Sequence, residues 1–383
     1  MKIMLSAGEA SGDLHGAALA KALKELKGDI EIVGFGGDMM ETAGVRLWAN
    51  YKSYNVMGVL EVVLNLRRIL NLLDFLAKKI EEERPDLFVL IDYPDFNWRL
   101  AKKAKALGVK VFSYIPPSAW AWRRGRAKDC ARIADEFVAI FPHELEPYEE
   151  VGAKISFLGN PLVDTVVPTM TKEAAREYFE VDNEPVVLLL PGSRLQEIRR
   201  IFPIMLKAAE LLLEYRPDTR FYLPVADNID EKLLQNYIGE ANISIVLAHE
   251  NRYDLMQIGD FAIATSGTVV MEAALLELPC VALYKMSAFN YFIAKLFVHV
   301  EHFTLPNLLL KKRAIPELLQ DEVTAENIFS EAKKLYEGEA ERKVVINDLK
   351  AAKAILGESG ATKRIAKKIL NATESRKKSI LII

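Results

Sequence analysis

The sequence predicts an α/β protein: two Rossmann-like, doubly wound parallel-sheet domains facing a cleft. Three observations predict it. Short apolar runs of strand length alternate with amphipathic stretches of helical period, the pattern of a parallel sheet covered on both faces. The rhythm stops at Gly159-Asn160-Pro161 and then starts again. Small, glycine-bearing polar motifs fall at the ends of the apolar runs, where open α/β sheets hold ligands.

In the first half the strand candidates are KIMLSA (2–7), EIVGFG (31–36), DLFVLID (86–92), KVFSYI (110–115), EFVAIF (136–141) and KISFLG (154–159). Amphipathic stretches such as LHGAALAKALKEL and NWRLAKKAKALG lie between them. The second half supplies PVVLLLPG (185–192), TRFYLPV (219–225), ISIVLA (243–248), DFAIATSG (260–267) and PCVALYK (279–285). The two domains join near residues 160–172. Helices dominate after residue 323, and the last 21 residues carry seven Lys/Arg against the single acid Glu374.

Composition narrows the functional classes. With 383 residues, 51% hydrophobic and 27% charged, the chain has the make-up of a folded protein and the length of two domains. Two cysteines are too few for a disulfide framework or a cysteine zinc site, which fits a reducing compartment. A formal charge of −3 gives no global basic field to recruit nucleic acid. No 18-residue uncharged apolar run exists, and Glu9 and Asp13 follow the first apolar stretch too closely for a secretory signal. A cytoplasmic protein is expected, free to rest on a membrane surface.

Each motif has a structural and a chemical reading. AGEASGDLHG joins the first strand to the first helix; Ser11 or Asp13 there is either a helix cap or, with Glu9, part of a binding loop. Neither this motif nor GFGGDM has the spacing of a dinucleotide fingerprint or a P-loop. In IDYPDFN, Asp95 is either an N-cap or a carboxylate at the cleft floor that takes a proton from an attacking hydroxyl. IPPSAWAWRRGRAKDCAR offers Trp120 and Arg123 to sugar rings, phosphate or headgroups, or simply forms a solvated basic face. Gly192, Ser193 and Arg194 of PGSR, and Ser266, Gly267 and Thr268 of TSGT, each put a small-residue loop at a helix N-terminus, suited to phosphate. Glu272, one helical turn beyond Thr268, suits two ribose hydroxyls.

Residues 56–76 hold 14 apolar positions in 21. They are either deeply buried or expose Val63, Leu66, Leu70 and Leu73 to acyl chains, with Arg67 and Arg68 meeting anionic headgroups. Residues 286–298, with Phe289 and Phe292, raise the same question. The five histidines lack metal-ligand spacing, no D-x-D pair is present, and no metal or other cofactor is expected.

Taken in order, AGEASGDLHG, MGVLEV, DYPDFN, PPSAWAWR, GNPLVD, LPGSRLQEI, ATSGTVVME and LPNLLL resemble the lipid-A-disaccharide synthase family over nearly the whole chain. The resemblance implies a GT-B glycosyltransferase fold. An N-terminal acceptor- and acyl-binding domain would span 1–165, completed by C-terminal helices at about 345–383, and a UDP-binding domain 166–344. It implies transfer of 2,3-diacylglucosamine from UDP to 2,3-diacylglucosamine 1-phosphate, giving a β-1,6-linked disaccharide phosphate and UDP by one inverting displacement. It implies work on the anionic cytoplasmic face of the inner membrane of Gram-negative bacteria. Carried onto this sequence, it makes Asp95 the base and puts Arg194 on the phosphates. It gives Ser266, Gly267, Thr268, Glu272 and Asn307 to UDP. Glu9, Ser11, Trp120 and Arg123 remain for the acceptor sugar. Two rivals share features: a UDP-sugar 2-epimerase of the same architecture, and a non-catalytic scaffold for lipid enzymes. The sequence leaves the oligomeric state open, a homodimer included.

Overall fold

The computed structural model describes residues 1–54, 59–119, 125–226, 229–288, 291 and 301–380, with the backbone alone at 59–66 and 375–380. The chain divides into two units, Met1–Asp164 with Leu356–Ile383, and Thr165–Ile355.

The first unit is built on a seven-stranded parallel sheet in the order β3-β2-β1-β4-β5-β6-β7. Its strands are β1 (Lys2–Ser6), β2 (Glu31–Gly36), β3 (Arg46–Asn50), β4 (Leu87–Ile91), β5 (Lys110–Tyr114), β6 (Glu136–Ala139) and β7 (Ile155–Phe157). Central β4 reads LFVLI and is buried throughout, because helices cover both faces. Phe88 and Leu90 point to one face and pack with Leu72, Leu73, Leu76 and Ile80 of α3 (Val59–Glu83) and Leu100 of α4 (Pro94–Ala106). The helix that precedes β2, α1 (Ala10–Leu26), lies on the other face: a Cβ on its Gly16 would come within 3.3 Å of Ile91 Cδ1.

The last helix, Ala361–Ile380, packs on α1, and GNPLVD is its dock. The Asp164 carboxylate accepts from Ser359 Oγ at 3.0 Å, Gly360 N at 2.5 Å and Thr362 N at 3.1 Å, satisfying otherwise orphaned groups at the helix start. Gly159, at φ +98°, lets the chain pass under Arg364; an added Cβ would sit 2.8 Å from that guanidinium. Arg364 in turn donates to the Leu158 carbonyl at 2.9 Å.

The second unit has a six-stranded parallel sheet in the order β10-β9-β8-β11-β12-β13. Its strands are β8 (Val186–Leu190), β9 (Arg220–Pro224), β10 (Ile245–Ala248), β11 (Phe261–Thr265), β12 (Cys280–Tyr284) and β13 (Glu317–Leu319). Ile198, Phe202 and Met205 of the helix Leu195–Tyr215 fill its core with Val187, Leu189, Ile263 and Ile328.

Several expectations change here. β3 and β13 are absent from the sequence's strand candidates; both are edge strands, one half-exposed and one of three residues, so neither writes a full apolar run. The return to the first unit begins at Leu356 rather than about 345. Helix Glu339–Ile355 stays with the second unit, packed on Thr268–Leu275 and tied by Lys312 to Asp348 at 2.7 Å. Leu73 is core, 7% exposed, whereas Leu70 is 40% exposed; the buried stripe of α3 runs through 72, 73, 76 and 80. The side chains of Val63 and Leu66, and all of Phe289 and Phe292, lie outside the described residues. Among the described residues no helix is long and apolar enough to cross a membrane.

Candidate active site

Each sheet reverses its strand order once, at β1/β4 and at β8/β11. The carboxyl ends of such strand pairs open a crevice. The motif loops lead out of these two crevices.

In the first unit, β1 runs into Glu9, the exposed N-cap residue of α1, whose side chain makes no cap bond. β4 runs into Asp92 and Tyr93, consecutive residues in the left-handed region at φ +48° and +52°. Such strain in non-glycine residues collects at functional sites. The turn brings the Asp92 carboxyl close to that of Glu9. Burial, and then the charge of Glu9, push the Asp92 carboxyl up to about 6. Gly8 is required here: the Tyr93 ring lies on it, and a Cβ would meet Cδ1 at 2.1 Å. A third carboxyl, Glu144, follows β6. It is buried and accepts from Ile140 N at 3.2 Å and Phe141 N at 3.1 Å. Burial raises it to about 7, with Asp92 adding to the shift.

Asp95 differs from this group in exposure. It lies in the first turn of α4, its side chain 94% exposed, and pairs with Arg126 at 3.1 Å. The DFN asparagine, Asn97, is fully buried and spends its amide on Ser6 and Asp92. Ser11 is exposed on α1. Asp13 does not cap its own helix; its carboxylate receives Gly37 N, Met39 N and Met40 N at 2.8–3.1 Å and holds the helix Asp38–Thr42. Trp120 and Arg123 lie outside the described residues.

In the second unit, β8 ends in Pro191 and Gly192, the latter at φ +97°. Exposed Ser193 and Arg194 lead into the 21-residue helix Leu195–Tyr215, with Arg194 as its N-cap residue. Arg194 Nη1 lies 2.9 Å from Glu197 Oε1 and its side chain is 78% exposed. β11 ends at Thr265; Ser266 and Gly267 then start the helix Thr268–Leu275. Glu272 is buried one turn on, 3.2 Å from Arg252 Nη2, and burial raises its carboxyl above the usual range. The two loops thus present helix N-termini at one crevice, with Glu272 behind them. Asn307 does not join them. It is fully buried and its amide accepts from Ala314 N and Ile315 N at 2.8 and 2.9 Å while donating to the Ile315 carbonyl at 3.0 Å. Asn307 of LPNLLL thereby staples the loop at Ala314-Ile315.

A family model described as lipid-A-disaccharide synthetase matches residues 3–370. The chain belongs to the lipid-A-disaccharide synthetase family. The lipid-A-disaccharide synthase of Geobacter metallireducens is 38% identical over 366 residues, 95% of each chain. That of Myxococcus xanthus is 38% identical over 370 residues, 96% of this chain and 97% of the relative. Among solved structures, the UDP-GlcNAc 2-epimerase from Neisseria meningitidis bound to UDP-GlcNAc superposes with a TM-score of 0.67 at 15% identity, covering 97% of this chain and all of that one. MurG of Acinetobacter baumannii gives 0.61 at 14% identity, covering 97% and 99%. At such identities the likeness is one of fold, and that fold is GT-B. Membership of the synthetase family makes the chain a glycosyltransferase of lipid A biosynthesis. Within this family member, sequence reasoning passed over Asp92, Asn97 and Glu144. The available signal was position: Asp92 is the first polar residue after a fully apolar strand at the sheet's reversal point.

Proposed function

We propose that the chain joins a UDP-activated diacylglucosamine to a diacylglucosamine 1-phosphate, with Asp92 rather than Asp95 as the base. The observation that carries this reading is the Asp92 carboxyl, held against Glu9 at the β1/β4 crevice and pushed up to about 6. A base acts best with a pKa near working pH, and burial brings Asp92 toward it. The acceptor 6-hydroxyl gives its proton to Asp92 as its oxygen bonds to the donor's anomeric carbon. The bond from that carbon to the diphosphate breaks, and its electron pair leaves with UDP. An α-linked donor then gives a β-linked product in one inversion, with no enzyme nucleophile. Charge grows on the departing diphosphate. The N-termini of Leu195–Tyr215 and Thr268–Leu275, with Arg194, are suited to stabilise it without a metal.

The acyl chains call for a surface beside a bilayer. Exposed Arg67, Arg68 and Leu70 on α3 suit the anionic cytoplasmic face of the inner membrane, the chain resting there peripherally.

The test is a pair of variants assayed with both substrates. Asp92→Asn should lower turnover about 10²–10⁴-fold while UDP-sugar binding persists. Asp95→Asn should stay within a few-fold of the parent. The reverse pattern restores Asp95 as the base; disaccharide formation unaffected by either variant removes the carboxylate-base mechanism.

A further inference from the structure

We propose that Asn97 is a positioning residue of the reaction: its buried amide clamps the left-handed turn at Asp92-Tyr93 onto the end of β1, and so aims the Asp92 carboxyl at Glu9. The inference rests on Asp92 as the base. Four contacts carry it. Asn97 Nδ2 donates to the Asp92 carbonyl at 2.8 Å and to the Ser6 carbonyl at 3.1 Å, with the Ile91 carbonyl at 3.5 Å. Ser6 Oγ donates to Asn97 Oδ1 at 2.6 Å. One side chain therefore holds both strand ends from which the two carboxyl groups project.

The clamp has work to do. Two successive non-glycine residues in the left-handed region are strained, so an unheld turn relaxes. Asn97 is 0% exposed, and its amide hydrogens have these carbonyls as partners in place of water. Asn97 reaches the site from α4, whose first turn follows Tyr93 directly; the Asn97 N–H also donates to the Tyr93 carbonyl at 3.1 Å. The turn is thus gripped from outside by a side chain and from within by its own helix start.

Loss of the clamp should release Asp92 from burial and from Glu9. Of the titratable groups near Asp92, Glu9 from the β1–α1 loop disfavours its charge, while Glu144 from the segment after β6 has its own carboxyl raised in part by Asp92. Away from them, Asp92 titrates nearer an ordinary carboxylate.

The experiment compares Asn97→Ala, Ser6→Ala and Asp92→Asn with the parent, measuring kcat, KM and the pH dependence of kcat/KM, with circular dichroism melting as a check on folding. Asn97→Ala should lower kcat about 10²-fold, as expected for a misplaced reactive group, with KM for the UDP-sugar within about twofold. Its acid limb should move to lower pH. Ser6→Ala, which removes one hydroxyl and leaves the amide donations, should move both readouts the same way by less, and it decides the matter should Asn97→Ala not fold. Parent-like kcat and acid limb in the folded variants, beside an inactive Asp92→Asn, overturn the clamp and leave the base standing. An active Asp92→Asn overturns the base and the clamp with it.

Discussion

Glu9 and Asp92 meet carboxyl to carboxyl from the ends of neighbouring strands, β1 and β4, at the point where the first sheet reverses its order. A neighbouring acid disfavours the ionised form, so Asp92 keeps its proton to higher pH than it would alone. Burial is the larger cause of the Asp92 shift and Glu9 the second. If Asp92 is the base, it works as a carboxylate, so activity falls as pH drops through its pKa, and the acid limb of kcat/KM should lie near pH 6. Glu9→Gln removes the second cause and keeps the first. Its acid limb should move to lower pH yet stop short of the ordinary aspartate value. A limb that stays in place would assign the titration to another group.

The architecture was legible because fully buried parallel strands leave no alternative pattern: LFVLI and VVLLL can only be central. Edge strands β3 and β13 were not legible, since half-exposed or three-residue strands carry mixed composition. The site was legible to the loop, not to the atom. The motif DYPDFN is legible, but the left-handed turn at Asp92-Tyr93, on which the proposal of Asp92 as base draws, is encoded by no spacing rule. Asn307 is legible as a polar residue in an apolar motif, but its hydrogen bonds to the backbone at 314–315 are not, because they join residues seven and eight positions apart across a loop.

Arg194 is the cation at the N-terminus of Leu195–Tyr215, steadied by Glu197 at 2.9 Å. If the leaving diphosphate develops its charge there, Arg194→Ala should cut kcat about 10²–10³-fold, the usual cost of one preorganised charge contact. Excess EDTA should leave the parent's rate unchanged. A rate abolished by EDTA and restored by a divalent cation would replace the helix-and-arginine account with a metal.

Asp164 holds the start of the last helix through three hydrogen bonds. Asp164→Ala should cost about 1–2 kcal/mol, in the range of a lost helix cap. In a unit of this size that lowers Tm by about 2–8 °C. Calorimetry checks the shift. At a temperature where the variant stays folded, its KM for the UDP-sugar should match the parent's, because the cap belongs to the first unit's structure.

Leu70 and Leu73 are three residues apart on α3 and face different surroundings. Leu73 is packed among Leu72 and Leu76 beneath the sheet; Leu70 is exposed, as are Arg67 and Arg68. An aspartate at 73 would bury an unpaired charge, which costs several kcal/mol, so Leu73→Asp should unfold the protein or depress its Tm sharply. Leu70→Asp should leave Tm within about 2 °C, as surface changes do. If this face meets the bilayer, it should also lower co-sedimentation with vesicles of anionic lipid severalfold, since it trades an inserting side chain for a repelled one. Unchanged vesicle binding by a folded Leu70→Asp would remove this face of α3 from the membrane contact and leave the acyl chains to another surface.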